Sequence, residues 1–180
     1  PMAAITAGQR ISGFCCCVFD ALGATMATYA GQNSGAREYK RIDRGLWDAT
    51  KIGSIYAVLI CIVLILFGGE IPKIFIDGKE REVLAMTKQF LIANSLFYIP
   101  LVFVNNWRFT IQGMGFSGFA MLAGVSEMIA RSLVAFIFIP IFGYIAACYA
   151  SPLAWLFADL FLVPAFYYCL KKLRYRTSVV

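Results

Sequence analysis

From Ile52 to Gly68 the chain reads IGSIYAVLICIVLILFG, with no Asp, Glu, Lys or Arg. A run this long and apolar belongs in the interior of a lipid bilayer, where a helix satisfies every backbone N–H and C=O within the segment. Four further stretches have comparable length and polarity: 11–30, 83–104, 116–139 and 152–170. Hydrophobic residues make up 61% of the 180 residues and charged ones only 14%, against about 25% charged in a soluble domain. Mean hydropathy is +0.75. The expected fold is all-α: a polytopic transmembrane helix bundle of about five spans, undivided by any solvated linker.

Charge sets the orientation. Lys and Arg number 16 against 10 Asp and Glu, a net charge of +6, and the excess sits in two clusters, Arg37–Arg44 and Lys171–Arg176. Basic clusters flanking apolar spans are retained on the cytoplasmic side, so they point to that side and not to a nucleic-acid partner. The segment 69–82 balances Glu70, Asp77, Glu80 and Glu82 against Lys73, Lys79 and Arg81, and 140–150 has no Lys or Arg; both are assigned outside. The C-terminus is then cytoplasmic and the N-terminal edge external. That edge, a start at Pro1 and the lack of a signal peptide lead to the expectation of further helices upstream.

Within the spans, the ionisable groups are the functional candidates. A charge at mid-bilayer costs about 2.5–3.5 kcal/mol on insertion scales, so it faces protein or water. Asp20 lies near the centre of the first span and Asp159 inside the fifth. Glu127 and Arg131 are four residues apart on the fourth, acid before base, the favourable order for a pair on one helix face. Both a structural ion pair and a place on a cation or substrate path fit them. Asn94 is read as the most polar buried residue of the third span, and Pro100 is expected to bend that helix by removing a backbone donor.

Local signals give finer expectations. Gly23, Ala27, Gly31 and Gly35 recur every fourth residue, a smooth stripe for close helix packing. After Ala36, the bases Arg37, Lys40, Arg41 and Arg44 oppose Tyr39, Ile42 and Leu46, which predicts an interfacial helix over roughly 36–47 lying on the membrane. Asn105 to Gly115 reads as a polar inner loop, Pro140 and Gly143 as the end of the fourth span, and Ser151-Pro152 as the capped start of the fifth. Cys15, Cys16, Cys17, Cys61, Cys148 and Cys169 fall in or beside apolar runs and are read as reduced packing residues. With no histidine and no paired-cysteine spacing, a zinc site has no support, and no nucleophile–base set points to an enzyme.

Gly31-Gln32-Asn33-Ser34-Gly35-Ala36, followed by its basic segment, resembles the Gly-Gln-Asn-x-Gly-Ala helix end of multidrug and toxic compound extrusion (MATE) transporters. Arg108 with Gln112-Gly113-Met114-Gly115, Gly124-Val125-x-Glu127 with Arg131, Pro140-x-Phe142-Gly143-Tyr144 and Ser151-Pro152-Leu153-Ala154-Trp155 follow in the order of the C-terminal half of bacterial members. The resemblance implies twelve helices in two lobes, of which residues 1–180 would form most of the C-terminal lobe, its eighth to twelfth helices, with the N-terminal lobe upstream as partner. It implies a sodium- or proton-coupled antiporter of the cell membrane, without cofactor, that exports drugs and other small organic, often cationic compounds. Family members often carry coupling carboxylates on the first, seventh and tenth helices. The third span here, the tenth by correspondence, has Asn94 and no acid. Asp20, Asn94, Glu127 and Arg131 are the resulting candidates for the cation or substrate pathway. A lipid-linked saccharide flippase of related architecture, which would need a strongly cationic cavity, and a non-transporting membrane scaffold are the alternatives.

Overall fold

A computed structural model describes residues 2–74 and 81–178, with side chains for 2–73 and 81–175. Asp77, Lys79 and Glu80 of the expected outer segment, and the Arg176 side chain, lie outside the described residues. The described chain is helical throughout, with no strand: α1 (Met2–Gly35), α2 (Tyr39–Phe67), a 3-10 turn at Ile71–Ile74, α3 (Arg81–Ser95), α4 (Tyr98–Gly113), α5 (Ser117–Leu133), a π-helical turn (Val134–Phe138), α6 (Ile139–Phe142) and α7 (Tyr144–Ser178). Four helical stretches are long and apolar enough to cross a membrane, and α3 with α4 makes a fifth if that bent pair is one span. The chain is a multi-pass membrane protein.

The observed helices run longer than expected from polarity alone, and the polar stretch from Asn105 to Gly113 is helical. The interfacial helix of 36–47 is not separate: α2 carries it straight into the second span, because Ile42, Leu46, Ala49, Gly53, Ala57 and Leu64 keep one continuous buried face. The polar stretch from Asn105 is not a loop either; α4 continues to Gly113, and Asn105, Asn106 and Trp107 are buried. Contacts from neighbouring helices outweigh the local polarity there. Pro140 is absorbed by the preceding π turn, a common accommodation of a disrupted hydrogen-bond ladder, and the helix ends at Gly143, whose φ of +59° few other residues adopt. Ser151-Pro152 is not a helix start, since α7 begins seven residues before Ser151, at Tyr144.

Pro100 does bend its helix. The break falls at Leu96-Phe97, one turn before the proline, where the missing N–H and the ring's clash with the Leu96 carbonyl are felt. Helices α3 and α4 meet there at 54°. Pro100 itself then sits in the first turn of α4, where a backbone N–H would have had no partner.

Helix α4 is the hub. It packs against α1, α2, α5 and α7, and its Tyr98 and Trp107 are among the largest fully buried side chains. Tyr98 exchanges a 2.9 Å hydrogen bond with Ser12 of α1 and packs edge-on to Phe19, while Trp107 meets Trp47 of α2 and Phe166 and Tyr167 of α7. The close approach of Gly31 to Gly113, and of Lys172 to the Phe116 ring, puts the C-terminal ends of α1, α4 and α7 and the starts of α2 and α5 on one side of the bundle. Exposed Arg37, Lys40, Arg41, Arg44, Lys171, Lys172 and Arg174 gather at that side. On α2, Ile52, Ile55, Leu59, Ile62 and Leu66 are exposed, as a lipid-facing helix requires.

Candidate functional site

One surface of the bundle differs from a lipid-facing wall. Along α1 from Arg10 to Gln32 the exposed residues are Arg10, Gly13, Phe14, Cys17, Val18, Asp20, Ala21, Ala24, Thr25, Thr28 and Gln32, most of them small or polar. Within a membrane such a stripe needs water or protein against it. Thr25 and Thr28 turn their hydroxyls back onto the carbonyls of Ala21 and Ala24, leaving the face smooth. Asp20 stands at the middle of the stripe, and Asn105 of α4 donates to its Oδ1 at 3.0 Å. Asn105 is itself 6% exposed, so the carboxylate is oriented from the core while remaining open on its outer side.

Glu127 sits in a second cluster, at the α4–α5 seam. Arg131 Nη2 donates to its Oε2 at 3.1 Å, the pair expected within α5, and Arg108 Nη1 of α4 reaches Oε1 at 3.2 Å. The Glu127 side chain is 12% exposed, Arg108 31% and Arg131 49%. One carboxylate thus takes two guanidinium groups and joins two helices.

Asn94 belongs to neither place. It is 3% exposed, in the core, and its Nδ2 donates to the carbonyls of Phe90 at 2.9 Å and of Cys148 at 3.2 Å. Cys148 is four residues before Pro152, which has no N–H to return to it. Asn94 therefore supplies from α3 the donor that α7 lacks. We expect Asn94→Ala to lower stability by about 2 kcal/mol, the cost of a buried orphan carbonyl. The same substitution in a Pro152→Ala background, which restores the N–H, should lose clearly less. Unfolding titrations of the four variants in detergent measure this, and an equal loss in both backgrounds would remove the assigned role.

The glycine motif closes the inner end of α1. Gly23, Ala27 and Gly31 lie against α4, with Gly23 under the Phe109 ring and Ala27 and Gly31 against Gly113. Gly35, the fourth of the stripe, faces open space. Gln32 is exposed and its carbonyl accepts from the Ala36 N–H at 3.0 Å; Asn33 donates its side-chain amide to the Tyr29 carbonyl, and its own carbonyl accepts from Glu38 N–H at 2.9 Å. The positive φ of the turn, 61°, falls on Arg37 and not on a glycine. The motif is thus a packing and reversal device that brings the basic start of α2 beside the end of α1.

Three features escaped the sequence reading: Asn105 as the partner of Asp20, Arg108 as the second partner of Glu127, and the surroundings of Asp159. Asp159 lines a groove of about 610 Å³ between α4 and α7, and its buried Oδ1 has no hydrogen-bond partner. Its place one turn before Pro164 was the available signal. The described residues contain no cluster of three or more potential metal ligands from His, Cys, Asp and Glu.

Comparison with known proteins agrees with this architecture. A solved structure described as the inward-facing conformation of a multidrug resistance MATE family transporter of the MOP superfamily matches with a TM-score of 0.79 at 21% identity, over 89% of this chain and 37% of that one. The chain thus spans little more than a third of that transporter's length, and at this identity the likeness concerns the fold. No curated protein matches the sequence. The family model MatE matches residues 1–137, well over half of the 180 residues, and the chain belongs to the MatE family.

Proposed function

We propose that this chain forms most of the C-terminal lobe of a cation-coupled antiporter that exports small organic compounds, often cationic, across the cell membrane, with its C-terminus in the cytoplasm. The observation that carries the reading is the exposed stripe of α1 with Asp20 at its middle. A membrane helix gains nothing from showing lipid a carboxylate and two threonines; the same face is suited to an aqueous path shared with an opposing lobe. Sodium or protons supply the gradient, and Asp20, held by Asn105 yet open outward, is the residue suited to exchange a cation with that path. The basic crown at the ends of α1, α2 and α7 supports the cytoplasmic assignment by the positive-inside rule.

Thiol accessibility and transport test the reading together. Cys17 lies on the stripe and Cys15 is buried. In inside-out vesicles of cells expressing the full transporter, a charged, membrane-impermeant thiol reagent should modify Cys17 and a cysteine placed at Thr25. A cysteine at Leu59 or Ile62 of α2 should stay unmodified. Asp20→Asn should lower gradient-driven efflux of a cationic dye at least tenfold at normal expression. Modification of the α2 positions with the α1 positions protected, or full efflux by Asp20→Asn, would overturn it.

A further inference from the structure

Helix α3 keeps one face in the core and turns the other out. Thr87, Phe90 and Asn94 are buried; Thr87 meets the Ala4 carbonyl and Phe90 covers Gly8, both on α1, while Asn94 reaches α7. At 3.6 residues per turn, Arg81, Ala85, Lys88, Gln89, Ile92 and Leu96 form a stripe on the opposite side. All but Ile92 are exposed. The stripe therefore faces away from α1. Two adjoining hollows run along it. The outer one, of about 330 Å³, lies between α3 and α7, with Lys88, Gln89 and Tyr149 beside an apolar floor of Ile92 and Leu96. The inner one, of about 180 Å³, is walled by Val58 and Ile62 of α2 and by Leu96 and Ile99. Leu96 belongs to both, so the two hollows meet there. The outer hollow offers an ammonium, an amide and a phenol hydroxyl, all able to donate, and no carboxylate lines it. No salt bridge reaches Lys88 among the described residues, or Arg81 two turns before it. The acid Glu82 stands two turns before Gln89, outside the hollow.

Lys88 sits at the depth of a headgroup. Its stem runs beside Gly68 and Gly69, where the uncharged run of α2 ends, and a long cation at such an end lifts its charge to the interface. From Lys88 to Ile99 the chain advances by eleven residues, at most about 16 Å at 1.5 Å per residue. That is close to half of the ~30 Å hydrocarbon core, the depth of one leaflet. We propose that this groove holds one anionic phospholipid. Its phosphate meets Lys88 and Gln89, and one acyl chain lies over Ile92 and Leu96 into the hollow beside Val58 and Ile62. Basic clefts between membrane helices recognise anionic headgroups in this way. A zwitterionic lipid would set its own ammonium against Lys88, and a free anion would leave the apolar channel unused. The inference rests on the chain's place in a membrane and not on the transport reading.

The test uses the purified full-length protein, delipidated in detergent and given equal amounts of dioleoylphosphatidylglycerol and dioleoylphosphatidylcholine. Native mass spectrometry counts the lipid retained. The basic crown at the far end of the bundle also attracts anionic lipid, so each variant is read as its change from the parent. The parent should keep phosphatidylglycerol over phosphatidylcholine at least fivefold. Lys88→Gln should retain one phosphatidylglycerol fewer per chain, and Lys88→Arg should keep it. Leu96→Trp leaves the cations in place and fills the channel at a position 56% exposed; it should lose the same molecule. Glycerol 3-phosphate, the headgroup without chains, should displace none of it at tenfold excess. Both Lys88 and Leu96 are exposed, and either loss variant decides alone if the other fails to fold. A full count in Lys88→Gln or in Leu96→Trp overturns the site, as it would if another helix of the protein filled the groove. Equal retention of the two lipids, or displacement by glycerol 3-phosphate, overturns the lipid as its occupant.

Discussion

Gly113→Leu should prevent assembly of the bundle. A Cβ at Gly113 would meet the Ala27 carbonyl oxygen head-on, with the Ala27 carbonyl carbon at 2.8 Å and its Cα at 2.9 Å. These are backbone atoms of α1 and cannot rotate away, so any side chain must push α1 and α4 apart along their tightest contact. Overpacking of a filled core costs about 1–3 kcal/mol and sometimes more; with two backbones in contact and α4 at the centre, about 3 kcal/mol or more is expected. Gly113→Ala should already show much of it. Gly13 is the control, a helical glycine with nothing within 4 Å of its virtual Cβ. Gly13→Ala should raise stability by about 0.5–1 kcal/mol, through the ordinary helix preference of alanine. Reversible unfolding in mixed micelles, with the yield of folded monomer, reads both. A Gly113→Ala protein as stable as the parent would rule out the close crossing.

The second large effect concerns Glu127. Removing its charge strands Arg108 at the α4–α5 seam and Arg131 at the surface. Taking one partner from a buried pair costs about 3–5 kcal/mol, whereas an exposed pair is worth about 0–1 kcal/mol. Arg108 is 31% exposed and Arg131 49%, so the two halves of the cluster should differ. We expect Glu127→Gln to lose about 2–3 kcal/mol, below the fully buried range because water reaches both guanidinium groups. In double-mutant cycles the coupling to Arg108 should be about 1.5 kcal/mol and that to Arg131 about 0.5 kcal/mol or less. Raising the salt concentration should weaken the Arg131 coupling first. Equal couplings would mean that the inter-helix tie is no stronger than the pair within α5. Should Glu127→Gln fold normally and stop dye efflux, the residue would belong to the transport path as well as to the seam.

Much of the bundle was legible in residue order. Ile52–Gly68 could be nothing but a lipid-spanning helix, and the proline at 100 announced a bend whose place follows from the i−4 carbonyl it displaces. The buried face of the α2 start was also readable, from Ile42 and Leu46 opposite four bases. What misled was treating polarity as an end of structure. Asn105-Asn106-Trp107-Arg108 reads as a loop because three of the four prefer water, yet Asn105 and Arg108 find their partners on α1 and α5, and Trp107 packs against rings of α2 and α7. Ser151-Pro152 reads as a cap because proline so often opens a helix, yet Asn94 repairs the ladder from outside. Each error has one cause: the compensating group lies far away in sequence.

By itself, then, the sequence determined that the chain is helical and crosses a membrane several times, where along it the basic clusters fall, and which family its glycine motif resembles. These follow from composition and short-range spacing, because solvation in lipid and helix periodicity act residue by residue. Only the tertiary structure decided what the polar residues do. It opened Asp20 outward on a stripe, gave Glu127 two cations, spent Asn94 on a proline-freed carbonyl and left Asp159 unpaired in a groove. A buried polar group is defined by its partner, and Asp20, Glu127 and Asn94 each have a partner on another helix, 19 to 85 residues away in sequence.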